Sequence, residues 1–315
     1  MRTDAVETRR IALKVDVDTL RGTREGVPRL ATALGRHQAG GSFYFSLGPD
    51  HTGRALKRVF RRGFLGKVRR TSVIEHYGIR TLLYGTLLPG PRIDAKAGAV
   101  MRAVRDAGFE VGVHCHDHVR WQDGVAQADA AWTRREFTRA LEAFRGVFGS
   151  AARAHAAAGW QINAGVLQLE QEFALDYASD ARGSSPFWPT MAGVAGRCLQ
   201  LPTTLPTFDE LIGVDGMDAQ AAAERILRES RAGASDTHVF TLHAELEGQK
   251  LYPQFEFLLQ RWREAGLELG SMHDYHQRLS GTTVLRHELI WGEVAGRSGT
   301  LAVQGAPLPG PGAAA

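Results

Sequence analysis

The stretch EVGVHCHDHVRWQ, residues 110–122, decides how the rest of the chain is read. EVGVH (110–114) alternates as a short strand does. It follows AKAGAVMRAVRDAG (95–108), which carries apolar residues at helical spacing and closes on a glycine. A helix leading into a strand that stops at a histidine is one unit of an α/β repeat, and similar units recur on both sides. IALKVDVD (11–18), SFYFSL (42–47), HVFTLHAE (238–245) and LELGS (267–271) read as strands, with shorter ones near 152–155, 174–178 and 197–201. GVPRLATALGRHQ (26–38), a segment over roughly 128–148, DAQAAAERILRES (218–230) and YPQFEFLLQRWREAG (252–266) read as helices. Repeated βα units predict a parallel sheet. A chain of 315 residues with no internal repeat and no Pro/Ser-rich linker predicts one domain closed as an α/β barrel.

Barrels of this kind collect their chemistry at the C-terminal ends of the strands. Asp16 and Asp18 end the first strand, His114 ends the strand of the opening stretch, Asp180 follows LDYAS, and His243 lies late in HVFTLHAE. Two aspartates two apart in a strand share a face, and such a pair in an apolar strand is costly unless a cation compensates it. His114 and His118, four apart, lie on one side if the chain turns helical after the strand. If it stays extended, all three histidines share a face and His116 competes for the same role. Two histidines and a carboxylate with open positions suit a catalytic zinc, iron, cobalt or manganese ion. Cys115 then points elsewhere and reads as a small packed residue.

An apolar content of 43% supports a large core, and two cysteines, Cys115 and Cys198, argue against a disulfide framework and fit a reducing cytoplasm. The N-terminal residues lack the apolar run of a secretory signal, and no stretch reaches the roughly 18 uncharged apolar residues of a membrane span. GAPLPGPGAAA (305–315) reads as a disordered tail. The net charge of +4 is local, because residues 54–80 hold nine basic side chains against Glu75 alone. Leu56, Val59, Phe60, Phe64, Leu65 and Val68 interleave with those charges near helical spacing. The segment therefore reads as a basic amphipathic insert suited to an anionic membrane surface, not to nucleic acid, with Arg58, Arg61, Arg62, Arg69 and Arg70 facing the lipid.

Six further motifs occur in order: DVDTLRGTREGVPRL, GPDHTGRALKRVF, AAAGW (156–160), SDARG (179–183), LPTTLPTFDELIG (201–213) and TLHAELEG (241–248). With the Asp16/Asp18 and His114/His118 pairs they resemble the polysaccharide deacetylase (NodB-homology) superfamily over residues 10–304. Within it they are most similar to the deformylases of 4-deoxy-4-formamido-L-arabinose-phosphoundecaprenol. The resemblance implies a distorted (β/α) barrel of the NodB type over residues 1–304 and a metal-dependent amide hydrolase. It implies one divalent ion, zinc, cobalt or manganese, held by Asp18, His114 and His118, with Asp16 as base, His243 as acid and Asp180 aiming His243. It also implies a lipid-linked formamido-sugar substrate, a role in lipid A modification, and a cytoplasmic location at the periphery of the inner membrane. Arg21, Trp160 and Arg182 are the expected substrate contacts.

Two departures stand out. His116 occupies a position where the family favours a bulky aromatic, and AHAAAGW (154–160) replaces the superfamily's Arg-x-Pro motif. The second leaves open which residue orients Asp16, with Arg182 as the candidate. Three other readings compete. One is a deacetylase of another N-acylated glycan. Another is a barrel amidohydrolase using the His-x-His of residues 114–116, and the third is a non-catalytic membrane-surface module.

Overall fold

The computed structural model describes residues 9–55, 78–233 and 235–309. The strands, in chain order, are β1 (Arg10–Val17), β2 (Ser42–Ser46), β3 (Glu110–Cys115), β4 (Ala154–His155), β5 (Tyr177–Ala178), β6 (Trp188–Met191), β7 (Val194–Ala195), β8 (Leu199–Gln200), β9 (Thr237–His243), β10 (Glu268–Gly270), β11 (Arg286–Glu293) and β12 (Thr300–Pro307). A parallel sheet runs β1-β2-β3-β4-β5-β8, with β9 on the far side of β1 and β10 beside the first residues of β1. Beyond β8, the amides of Thr204 and Leu205 both donate to the Val239 carbonyl of β9, at 3.1 and 3.2 Å. The sheet thus curls back on itself as a distorted barrel in a single domain.

Alternation along β1 sorts its side chains. Ile11, Leu13, Val15 and Val17 face the helices, where they join a core with Val27, Leu30 and Leu34 of the helix Val27–Arg36 and Phe255, Leu258 and Trp262 of the helix Tyr252–Glu264. Ala12 points inward, into a smaller cluster with Tyr44, Ala154, Tyr177, Leu199, Leu201 and Val239. Lys14 and Asp16 continue that inward row. The barrel interior is therefore apolar at the start of β1 and charged at its end.

One expectation needs correction. Residues 286–307 form an antiparallel hairpin that extends β6 and β7 into a second, four-stranded sheet. Residues 305–308 are not the start of the expected disordered tail, because those up to Pro307 belong to β12 and Leu308 still donates to the Arg286 carbonyl. Most of the basic segment, including Arg58, Arg61, Arg62, Arg69 and Arg70, lies outside the described residues. Among the described residues, no helix is long and apolar enough to cross a membrane.

Candidate active site

Asp18 sits just past the end of β1, His114 near the end of β3, and His118 opens the helix His118–Gly124. Asp117 caps that helix by accepting the Arg120 amide at 3.1 Å, and so turns the chain helical directly after the strand. This turn brings His114 and His118 to one side. Their Nε2 atoms lie 3.3 and 3.4 Å from Asp18 Oδ1. His116 falls elsewhere, against the backbone of Gly48, where an added Cβ would come within 2.5 Å of its ring.

The donor set fits a divalent cation. Nδ1 of His114 lies 2.6 Å from the Ala156 carbonyl, so it carries the proton and leaves the Nε2 lone pair facing Asp18. Asp18 Oδ1 is buried and accepts no hydrogen bond. Burial pushes the Asp18 carboxyl up, but the neighbouring His118 and His114 rings outweigh it, holding the group below its ordinary range. Three electron-pair donors thus converge on a space that no proton donor fills.

Asp16 and His243 flank this cluster on adjacent strands, where they are register partners between β1 and β9. Asp16 Oδ1 accepts no hydrogen bond, and Oδ2 lies 3.3 Å from Lys14 Nζ. Lys14 is shut off from solvent, donates to the Ser179 carbonyl at 3.1 Å, and stands 5.2 Å from the centre of the Trp160 ring. Burial pulls its pKa down against the pull of Asp16. For His243, burial favours the neutral ring, yet the carboxylates of Asp209, Asp18, Glu247 and Asp16 together raise its pKa. The His243 amide donates to Glu247 Oε2 at 2.8 Å, while its Nδ1 is buried without a partner.

The loop bearing Asp18 is held from below. Glu245 Oε1 accepts the amides of Asp18 and Thr19 and the Thr19 hydroxyl, at 3.1, 2.9 and 2.8 Å. Burial and the nearby Asp18 raise the Glu245 carboxyl to about 8. Gly22 makes this contact possible, since a Cβ there would sit 1.9 Å from Glu245 Oε1.

Three expected roles come out differently. Asp180 does not aim His243. Its Oδ1 accepts the Ala157 amide at 2.7 Å and lies 3.0 Å from His155 Nδ1, and its Oδ2 accepts from Gln200 at 2.9 Å. The carboxylate acting most strongly on His243 is Asp209, which Arg297 grips at 2.9 Å from the turn between β11 and β12. Arg182 donates to the Leu205 carbonyl at 2.9 Å and pairs with Glu210 at 3.2 Å, and the cation beside Asp16 is Lys14. Trp160 is 2% exposed, with Arg297 stacked at 4.4 Å and Arg182 and Lys14 also over its ring, so it fixes cations and is not an open sugar platform. Arg21 is paired with Glu25 at 2.8 Å.

A second cluster, His155, Glu170 and Asp180, also has ligand atoms close enough for an ion. One ring nitrogen, His155 Nδ1, lies 3.0 Å from both a Glu170 and an Asp180 oxygen. Burial opposes charge on His155, but Asp180 and Glu170 raise it to about 10, while burial and Asp180 push Glu170 up as well. This is a proton-sharing buried ion cluster, already neutralised.

No protein-family model matches the chain. A protein of Shewanella sediminis (strain HAW-EB3), named a probable 4-deoxy-4-formamido-L-arabinose-phosphoundecaprenol deformylase ArnD, is 35% identical over 297 residues, 94% of each chain. The chain belongs to the ArnD deformylase family. An ArnD relative from Wigglesworthia glossinidia brevipalpis is 30% identical over 80% of this chain and 88% of its own. The ArnD-family chain also shares its fold with a polysaccharide deacetylase candidate from Mycobacterium smegmatis, at a TM-score of 0.59 and 18% identity, covering 91% of this chain and 95% of that one. A probable polysaccharide deacetylase from Pseudomonas aeruginosa PAO1 gives the same TM-score at 14% identity, covering 88% and 92%. Like its relatives, this ArnD-family member is a hydrolase of the deacetylase barrel type.

Proposed function

We propose that the protein hydrolyses the formamide of 4-deoxy-4-formamido-L-arabinose carried on undecaprenyl phosphate, releasing formate and the free 4-amino sugar for lipid A modification. The observation that carries this reading is the register of Asp16 with His243 beside the Asp18, His114 and His118 cluster. It occurs in a chain related over 94% of its length to a protein named for that reaction.

Asp18, His114 and His118 would hold the divalent cation, and zinc, cobalt and manganese all suit two imidazoles and a carboxylate. Bound there, the cation supplies Lewis-acid activation of a water and of the amide carbonyl. Asp16 takes the proton of the attacking water through Oδ1, the oxygen that has no hydrogen bond to give up. Lys14 holds the other oxygen, so the carboxylate cannot swing away. As water oxygen bonds to the formyl carbon and the C–N bond breaks, His243 delivers its proton to the departing amine. The surrounding carboxylates favour the protonated ring against the effect of burial.

An undecaprenyl chain stays in the bilayer, so the enzyme works at a membrane. Peripheral attachment to the cytoplasmic leaflet of the inner membrane through the basic segment 54–80 accounts for the local charge. Replacing Arg58, Arg61, Arg62, Arg69 and Arg70 by Gln is expected to release the protein from anionic vesicles; undiminished binding overturns the attachment.

Substrate choice tests the main reading. Metal-loaded protein is offered formylated and acetylated forms of the same lipid-linked sugar, with products followed by mass spectrometry. Loss of formyl supports the deformylase; loss of acetyl alone makes the protein a deacetylase instead.

A further inference from the structure

The turn that carries Asp18 continues into the wall of a separate depression. A pocket of about 310 Å³ opens between Leu20, Arg21, Arg24 and Glu25 on one side and Arg80 and Tyr84 on the other. Its wall begins two residues beyond Asp18. Three guanidinium groups face one carboxylate there, so the described lining carries a net positive charge.

Two of these arginines are anchored in place. Arg21 Nε donates to Glu25 Oε2 at 2.8 Å, and Arg24 Nη2 donates to the Lys96 carbonyl at 2.9 Å. The Arg21 guanidinium lies against Gly78, which has a φ of +74°, and an added Cβ there would come 2.9 Å from Arg21 Nη1. A glycine at this point gives the cation its seat. Arginine is the side chain best matched to phosphate oxygens.

The rim has a different character. Ile79, part of the pocket's lining, is 69% exposed. A cationic pocket edged by a bare apolar side chain suits a ligand whose anionic group ends in a hydrocarbon chain. It does not suit a free soluble anion or a neutral glycan equally well.

We propose that this pocket binds the phosphodiester of a lipid-linked sugar, leaving the lipid to run out past Ile79. The inference rests on the hydrolase reading above and adds the subsite that tells a phosphodiester-linked sugar from other acylated amines. On a pyranose, the amide at C4 and the phosphate at C1 lie on opposite sides of the ring. The proposal requires one sugar to span from the Asp16 and His243 pair to the arginines.

The test uses two water-soluble probes, the methyl phosphodiester of the formamido-sugar and its neutral methyl glycoside, with the Arg21→Gln/Arg24→Gln/Arg80→Gln variant of the full chain. KM for the phosphodiester is expected to rise on the order of ten- to hundredfold, as for loss of charged hydrogen bonds, with kcat kept. Turnover of the glycoside is expected to stay the same. Equal losses on both probes, or no change in KM, overturn the proposal. Vesicles of anionic phospholipid without substrate give a second arm. If the variant loses vesicle binding while KM for the soluble phosphodiester is unchanged, the pocket serves a bilayer headgroup and the proposal is wrong. Calorimetric binding of the phosphodiester keeps the two readings apart. If wild type turns over neither probe, the hydrolase reading fails, and the pocket stands or falls on whether wild type binds the phosphodiester and the variant does not.

Discussion

Lys14 Nζ lies 3.3 Å from Asp16 Oδ2, both side chains shut away from water at consecutive inward positions of β1. A buried lysine is costly to charge, and a buried carboxylate is too; paired, each offsets the other. We propose that this pairing orients Asp16 in a chain that lacks the Arg-x-Pro motif.

Lys14→Met is expected to lower kcat and to leave the metal content of the folded protein unchanged, because Lys14 touches Asp16 and not the Asp18 cluster. Lys14→Arg restores part of the rate by returning a cation to the same oxygen. Steady-state kinetics with metal analysis checks both. Equal kcat in wild type and Lys14→Met removes the positioning role.

Asp209 gives a pH prediction. As general acid, His243 must be protonated, so activity falls as pH rises through its pKa. Asp209 is the strongest influence raising that pKa after burial has lowered it. Asp209→Asn is therefore expected to move the alkaline limb of the kcat profile to lower pH. A limb that stays in place shows that another carboxylate sets the acid.

Metal content separates the two clusters of possible ligands. Asp18→Ala, His114→Ala and His118→Ala each leave two donors where three converge, and each is expected to lower metal occupancy of the purified protein. His116→Ala, with its ring against Gly48, is expected to keep the metal. Loss of metal in His116→Ala with retention in His118→Ala would mean that His116, not His118, completes the ligand set.

His155→Ala leaves Glu170 and Asp180 buried without their cation and is expected to cost about 3–5 kcal/mol of stability. Chemical denaturation measures it. The folded pKa of His155, about 10, lies above its unfolded value, so its contribution is full below a pH of about 6.5 and is lost as pH rises through about 10. A small change at neutral pH would mean that the cluster is hydrated or that Glu170 and Asp180 neutralise each other without it.

The barrel was legible because alternation in 11–18 and the helix-to-strand passage into 110–114 are strong local patterns. The Asp18, His114 and His118 convergence was legible for the same reason: i, i+2 on a strand and i, i+4 on a helical turn are fixed by backbone geometry. Lys14 could have been read too, since it shares the inward face with Asp16, but a lysine inside a strand more often points to solvent. Asp180 was misread because nothing local says that its neighbour is His155, 25 residues earlier in the chain. Asp209 was hidden for a related reason: the cation gripping it arrives from a hairpin whose half-exposed strands carry only a weak pattern.

The central claim is that Asp16 and His243 move protons beside a site they do not build. The direct measurement is formate release from the formamido-sugar substrate by metal-loaded wild type, Asp16→Asn and His243→Ala. Each variant is expected to keep its metal and to lose on the order of 10²–10⁴-fold in kcat. Formate release near the wild-type rate in either metal-loaded variant would contradict the account.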